Sequence, residues 1–339
     1  MTEPRDDEPR PLKLRILRWV PIVIVLDLVI HLVLPRVAQI KGALHIVWTL
    51  TPWAIALAVV SEGLSYCSNG LLLRTIISRI TRERISFRRA AAIELGAGTV
   101  AIVAAGALGF GTAIYKWTRD AGVSRDAAML ASWLPSVFDA MTLIVFALLS
   151  AIELLAMHQL SRATVIALGV VVTVLSIVIV TVFVLLARND WLLRAAHFAT
   201  RQLGRVRMFG DNTILIDAAE RAETVWGSLR GGGWLRPAAS SFCVITFDLL
   251  CLHWVFVAAG QHLHLTVLVA GYGVPLLLGR ASFLPGGIAV IEVAMSALYS
   301  GLGVPPNAAI VSVLVYRLIS FWTPAVCGIP VAFMLQSRK

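Results

Sequence analysis

From Ala163 to Ala187 the chain runs for 25 residues without one charged side chain. That exceeds the roughly 20 apolar residues an α-helix needs to cross a bilayer core about 30 Å thick. Inside lipid every backbone polar group must be bonded within the protein, so runs of this kind fold as helices. Further strong runs lie near Ile16–Leu34, Pro52–Leu73, Ala127–Leu149, Pro237–Ala259 and Asn307–Leu335. Two weaker ones, 90–115 and 265–301, are interrupted by glycine and proline. The composition, 58% hydrophobic and 14% charged, departs from the soluble norm of about half apolar and about a quarter charged. The expected class is an all-α polytopic membrane protein with eight hydrophobic segments. Residues 1–15, polar and carrying Pro4, Pro9 and Pro11, read as a disordered tail.

The net charge of +10 does not point to nucleic acid, because the arginines cluster in loops beside apolar runs. Excess Arg marks the cytoplasmic side of a span. Arg5, Arg10, Arg15 and Arg18 place the N-terminus inside, and Arg74, Arg79, Arg82, Arg84, Arg88 and Arg89 place the 74–89 loop inside. The 188–236 loop, with eight arginines, is inside as well, as are Arg338 and Lys339 at the C-terminus. Segment 90–115 then starts and ends inside, yet about 26 residues cannot cross twice at roughly 20 residues per crossing. It is expected to be a re-entrant hairpin, with bends among Gly96, Gly98, Gly106, Gly109 and Gly111. Segment 265–301 starts and ends outside, so it is either a second such hairpin, broken at Pro275, Gly279, Pro285, Gly286 and Gly287, or two short crossings.

Two short stretches tie these halves together. AGVSRDAAMLASW (121–133) and LGVPPNAAIVSVL (302–314) lie 181 residues apart, and each follows a broken segment. The expected architecture is six full transmembrane helices plus two re-entrant hairpins, in two inverted repeats, 16–157 and 163–335. The 188–236 loop of the second repeat is expected to hold amphipathic helices on the inner surface.

Ionisable groups inside spans are costly and are functional candidates. Arg317 is about ten residues into the last span, Arg280 is near the turn of the second hairpin, and Glu292 is on its returning arm. Asp27, His31, Glu62, Glu94, Asp139, Asp248 and His253 are the other intramembrane polar candidates. Fixed ion pairs, such as Arg317 with Glu292 or Asp139, are one reading. An anionic head group on Arg280 and Arg317 is the other, because the guanidinium fork suits phosphate. Asp27–His31 and Asp248–His253 read as structural pairs, with a proton relay as the alternative. Pro285, Gly286 and Gly287 permit close backbone approach to a head group. Cys67, Cys243, Cys251 and Cys327 lack zinc spacing and read as small buried hydrophobes, so no metal or cofactor is expected. No hydrolase, zinc-protease or phosphate-loop motif is present, which argues against an enzyme.

The segment PGGIAVIEVAMSALYSGLGVPPNAAIVSVLVYRLISFWTPAVCG (285–328) resembles the lysylphosphatidylglycerol synthase transmembrane family, also called flippase-like proteins. The Pro-Gly-Gly, the Glu seven residues after Pro285, Leu-Gly-Val-Pro, the Ala pair, Tyr-Arg and the closing Phe-Trp-x-Pro carry the likeness. Ala-Leu-Gly-Phe-Gly at 107–111 stands where that family has Pro-Gly-x-Gly. The resemblance implies translocation or handling of an anionic phospholipid or a polyprenyl-linked lipid in the plasma membrane of a bacterium or archaeon. It also implies roles for Pro285, Gly286, Gly287, Glu292 and Arg317. No synthase domain follows the last span, so aminoacyl transfer is not expected. Two other readings stand beside this one: a non-transporting partner of a separate glycosyl- or aminoacyl-transferase, docked at 188–236, and an ion-coupled small-solute transporter.

Overall fold

The computed structural model describes residues 50–80, 83–103, 107–156, 233–281 and 285–337, with Ile166, Val170, Thr173, Val174 and Ile177. The expected tail 1–15, the first span with Asp27 and His31, most of 163–187 and nearly all of the 188–236 loop lie outside the described residues. The elements are α1 (Pro52–Ile80), α2 (Phe87–Val103), α3 (Ala107–Arg119), α4 (Arg125–Ala156), α5 (Leu235–Ala258), α6 (Leu265–Ala281), α7 (Val290–Gly301), α8 (Pro306–Arg317) and α9 (Thr323–Ser337). A 3₁₀ turn, Pro285–Gly287, precedes α7, and a π turn, Leu318–Trp322, joins α8 to α9. No strand occurs among the described residues.

Among the described residues, four helical stretches are long and apolar enough to cross a membrane: Pro52–Arg79, Arg125–Leu149, Leu235–Ala258 and Pro306–Ser337. The paired helices of the two broken segments are shorter. They hold 17 and 13 residues in α2 and α3, and 17 and 12 in α6 and α7. At about 1.5 Å per residue these are roughly 18–26 Å long, short of a bilayer core of about 30 Å. Each pair also comes back to the end of the bundle it left. Arg89, near the start of α2, donates to the Asp120 carbonyl just past α3 at 2.8 Å. Tyr299, near the end of α7, donates to the Leu268 carbonyl near the start of α6 at 2.6 Å.

The bends fall at fewer places than the glycines suggested. Gly106 lies outside the described residues, whereas Gly96, Gly98, Gly109 and Gly111 are helical, as are Pro275 and Gly279. Several of these glycines serve close packing. A Cβ on Gly96 would lie 3.0 Å from the Trp117 ring, and one on Gly111 would lie 3.3 Å from the Ser132 carbonyl. Small residues that let helices approach substitute in lipid for the missing hydrophobic drive. Gly273 does the same for α6 on α4, where a Cβ would stand 2.8 Å from that of Ala147. The second hairpin breaks after Ala281, through Gly286 and Gly287 (φ 63 each) and Ala289 (φ 68). The left-handed region disfavours a Cβ, so this is where glycine is required.

The two similar stretches fold into the same turn, bond for bond at an offset of 181. Gly122 (φ 87) donates to the Arg119 carbonyl at 2.9 Å and Val123 to that of Thr118 at 3.2 Å. Gly303 (φ 95) donates to that of Ser300 at 3.2 Å and Val304 to that of Tyr299 at 3.0 Å. This is the paired 6→1 and 5→2 closure that ends a helix at a left-handed glycine. The helices that follow start alike: Ala128 donates to the Ser124 carbonyl and Ala309 to that of Pro305, each at 2.9 Å. Val123 and Val304, and the Ala pairs 127–128 and 308–309, are buried in both copies. Nothing lies within 4 Å of a Cβ added at Gly122 or Gly303. Gly122→Ala and Gly303→Ala should therefore each cost about 1–2 kcal/mol through backbone conformation alone. Matching drops in thermal midpoint in detergent would show it, and a drop at only one site would break the equivalence.

The apolar core divides along the same line. On one side a buried cluster draws on α1 to α4 around Ile93, Ile114 and Trp117, with a small neighbour of Leu72, Ile76, Leu130 and Leu134 on α1 and α4. The other draws on α5 to α8 around Phe256, Tyr272, Tyr299 and Tyr316, with Ala58 and Leu143 joining from the first half. The halves are stitched by α1 against α5 and by α9 against α2. Ser65 donates to the Val244 carbonyl at 3.1 Å in the first contact, and Thr99 to that of Ala325 at 2.9 Å in the second. Of the four cysteines only Cys251 is buried, and Cys67, Cys243 and Cys327 are exposed, which corrects the expectation that all four are. In a bundle surrounded by hydrocarbon an outward thiol carries little desolvation cost, so hydrophobic character does not force it inward.

Candidate functional site

The polar residues of the apolar helices converge in the middle of the bundle. Glu62 is ten residues into α1, or about 15 Å along it, and is 5% exposed. Because α1 and α5 run antiparallel, with the Thr51 amide bonded to the Ala258 carbonyl at 3.2 Å, Glu62 meets the middle of α5. Its carboxyl is within hydrogen-bonding reach of the Asp248 carboxyl and the Cys251 thiol. Asp248 is held from two further helices. Tyr272 on α6 donates to its Oδ2, and Tyr316 on α8 donates to Oδ1 and Oδ2, each at 2.9 Å.

One residue beyond Tyr316, Arg317 is 5% exposed. Its Nε donates to Glu292 Oε1 at 2.7 Å and its Nη2 to the Gly286 carbonyl at 3.0 Å. The Phe321 ring covers the guanidinium at 4.4 Å. A Cβ on Gly286 would run into that same ring. Arg317 thus clamps three parts together: α8, the first turn of α7, and the broken turn before it. Of the pairings expected from sequence, Arg317–Glu292 is formed.

A second centre lies beside it. Ser241 on α5 donates to Asp139 Oδ1 at 2.8 Å and lies 2.9 Å from Thr142 Oγ1. Arg280, exposed in the last turn of α6, is within Coulombic reach of Asp139. The placement follows from the antiparallel packing of α6 on α4. Gly273 meets Ala147, and about two turns on, Arg280 comes into Coulombic range of Asp139. Glu94 on α2 is 6% exposed, faces the Asp139 charge, and its Oε1 has no donor among the described residues. The 3₁₀ turn Pro285–Gly287 packs against α2, so the tip of the second hairpin meets the first.

Asp248 and His253 do not pair, which corrects that expectation. Five positions along a helix separate side chains by about 140°. His253 instead meets the Trp254 ring edge-on at 5.2 Å. The residues that sequence reasoning missed are tyrosines. The chain has five, and three of them, Tyr66, Tyr272 and Tyr316, surround the acid pair. A buried tyrosine hydroxyl needs a partner, so tyrosines inside apolar runs are a usable signal for a polar centre. No group of His, Cys, Asp and Glu fit to hold a metal ion occurs among the described residues.

A family model described as the lysylphosphatidylglycerol synthase TM region matches residues 19–328. Among curated proteins, the UPF0104 membrane protein PH1989 of Pyrococcus horikoshii is 26% identical over 215 residues, which cover 60% of this chain and 62% of that protein. A UPF0104 membrane protein of Methanothermobacter thermautotrophicus is 30% identical over 89 residues, 26% of each chain. The matched stretches span less than two thirds of the length of these relatives. With its apolar helices and this match over most of its length, the chain is a multi-pass membrane protein and belongs to the lysylphosphatidylglycerol synthase transmembrane-region family.

Proposed function

We propose that this protein carries or handles a lipid with an anionic head group, a phospholipid or polyprenyl-linked lipid, across the plasma membrane of a bacterium or archaeon. In this reading α2–α3 and α6–α7 are re-entrant hairpins of an inverted repeat, with both chain termini cytoplasmic. The observation that carries it is the charged centre at the place where the two broken helix pairs meet. Five carboxyl groups (Glu62, Glu94, Asp139, Asp248 and Glu292) and two guanidinium groups (Arg280 and Arg317) lie inside apolar helices. Such groups are expensive in a membrane and mark substrate paths.

The two arginines have different roles. Arg317 is committed to Glu292 and the Gly286 carbonyl, so it shapes the path. Arg280 is exposed and would receive the phosphate, with the acyl chains left in lipid. An apolar cleft of about 360 Å³ between α6 and α7, lined by Val274, Pro275, Leu278, Ala294, Ala297 and Leu298, suits an acyl chain. The protein serves here as a non-catalytic membrane domain.

The test uses vesicles of phosphatidylethanolamine and phosphatidylglycerol, doped with acyl-labelled fluorescent phosphatidylglycerol and read by a membrane-impermeant quencher. The protein should speed exchange between leaflets, and Arg280→Ala should slow it about tenfold, the loss of one charge-assisted contact. Exchange no faster than in protein-free vesicles would refute the function. Exchange undiminished in Arg280→Ala would refute the role of that residue.

A further inference from the structure

The acid pair at the centre of the bundle has one hydrogen-bond donor too few. Asp248 has its oxygens met by Tyr272 and Tyr316, so it is furnished as an anion. Glu62 is not. It is 95% buried, its Oε2 has no donor among the described residues, and its carboxyl lies against that of Asp248. Among the described residues the other side chain within hydrogen-bonding reach of it is the Cys251 thiol, a weak donor. Two desolvated carboxylates sharing one site cannot both stay ionised. A hydrogen bond between two carboxyl groups needs a proton on one of them, and only Glu62 is left to carry it.

We propose that Glu62 and Asp248 bind one proton, held on Glu62, and that its loading and release couples lipid passage to the proton gradient across the membrane. The coupling half rests on the lipid-handling function, and the proton site does not. Only O–H bonds change. Hydronium on one side gives its proton to the Glu62 carboxylate and becomes water. Glu62 keeps the proton while donating a hydrogen bond to Asp248, and a water on the other side takes it, leaving Glu62 as the anion.

The groups around the pair say what release would do. Arg317 is the cation within reach of Asp248 from α8, and Glu292 on α7 already holds it. With Glu62 ionised, the pair gains a negative charge and competes with Glu292 for Arg317. The same guanidinium holds the Gly286 carbonyl, so drawing it away frees the broken turn at the tip of the second hairpin. Reloading the proton restores the clamp. From the other elements, Tyr272 on α6 faces the pair as a donor, with Arg280 in Coulombic range of that tyrosine. Asp139 on α4 is in Coulombic range of Asp248. Tyr66, one turn from Glu62, is within reach of Glu62, Asp248 and Glu94. Tyr66 itself donates to the Ser320 carbonyl at 3.4 Å, and Glu94 Oε1, like Glu62 Oε2 and Glu292 Oε2, is a buried carboxyl oxygen without a donor among the described residues.

Two measurements test this. Infrared difference spectra of the purified protein at neutral pH should show the carbonyl stretch of a protonated carboxylic acid. One component should vanish in Glu62→Gln and persist in Glu94→Gln. An unchanged band in Glu62→Gln overturns the proton site. The Gln amide can donate to Asp248 in place of the proton, so this variant should keep the wild-type thermal midpoint. The second measurement uses the same labelled vesicles with the membrane potential clamped by valinomycin and potassium. A gradient of about one pH unit should drive up to about a tenfold steady-state asymmetry of labelled lipid at one proton per cycle. Glu62→Gln should lose the asymmetry, with exchange measured in the same vesicles without a gradient as its reference. Wild-type exchange indifferent to the gradient overturns the coupling and leaves lipid handling standing. No exchange under any gradient removes lipid handling and the coupling with it, and the infrared result alone then decides the proton site.

Discussion

Arg317→Ala should lower the stability of the bundle by about 3–5 kcal/mol, the cost of breaking a buried ion pair from one side. It would strand the Glu292 carboxylate, which has only Arg317 as its ion-pair partner among the described residues, and whose Oε2 already lacks a donor. It would also release the Gly286 carbonyl and empty the space under Phe321. Removing both charges together should hurt less than removing one. Arg317→Met with Glu292→Met leaves no orphaned ion, and replacing a buried pair with apolar side chains is often close to neutral. Thermal unfolding in detergent reads both variants. If the single and double variants fall by the same amount, the clamp is not an energetic unit. Arg317→Lys should recover only part of the loss, since an ammonium cannot hold the Glu292 carboxylate and the Gly286 carbonyl in the same planar fork.

Tyr299→Ala should cost on the order of 3–5 kcal/mol, the range for deleting a large buried ring. Tyr299 is fully buried, stacks edge-on against Phe256 at 4.7 Å, and lies over Gly271 so closely that no Cβ fits there. Lipid gives no hydrophobic drive between helices, so packing and hydrogen bonds hold such contacts, and the cavity is the main loss. Tyr299→Phe keeps the packing and gives up only the bond to the Leu268 carbonyl, which should cost about 1 kcal/mol. A wide gap between the two variants is the expected result. A narrow one would mean that the hydroxyl, not the ring, ties the arms of the second hairpin together.

The sequence showed some parts of this fold far better than others, for physical reasons. The glycine-closed turns at 122 and 303 were legible because the motif is local: a left-handed glycine, a buried valine and an alanine pair within eight residues. The membrane class was legible because the bilayer imposes length and apolarity on each span. The positions of the bends were not. A glycine in a membrane helix can mark a break or a close contact, and only the neighbour, such as Trp117 beside Gly96, decides which. The pairing of Glu292 with Arg317 could be named in advance because few opposite charges were available. The meeting of Glu62 with Asp248 could not, since it depends on the antiparallel register of two helices 186 positions apart in sequence. Asp248 and His253 looked like neighbours only along the chain, and helical rotation separates them.

The π turn Leu318–Trp322 sets the phase of everything after it. An α-helix brings a face round every 3.6 residues, so an unbroken helix would carry the Tyr316 face on to Thr323 and Cys327. Both of those are exposed. The buried face resumes one residue later, at Pro324 and Gly328. One extra residue in the turn has advanced α9 by about 100°. The advance points the hydrogen of Gly328 at the Leu95 carbonyl and the Thr99 hydroxyl, where no Cβ has room. Were 318–322 wound as regular α-helix at the same length, the phase would shift by that amount and Cys327 would take that spot. α9 would then part from the first hairpin with no change to any residue that touches it, whereas deleting one residue of the turn would leave Gly328 in place.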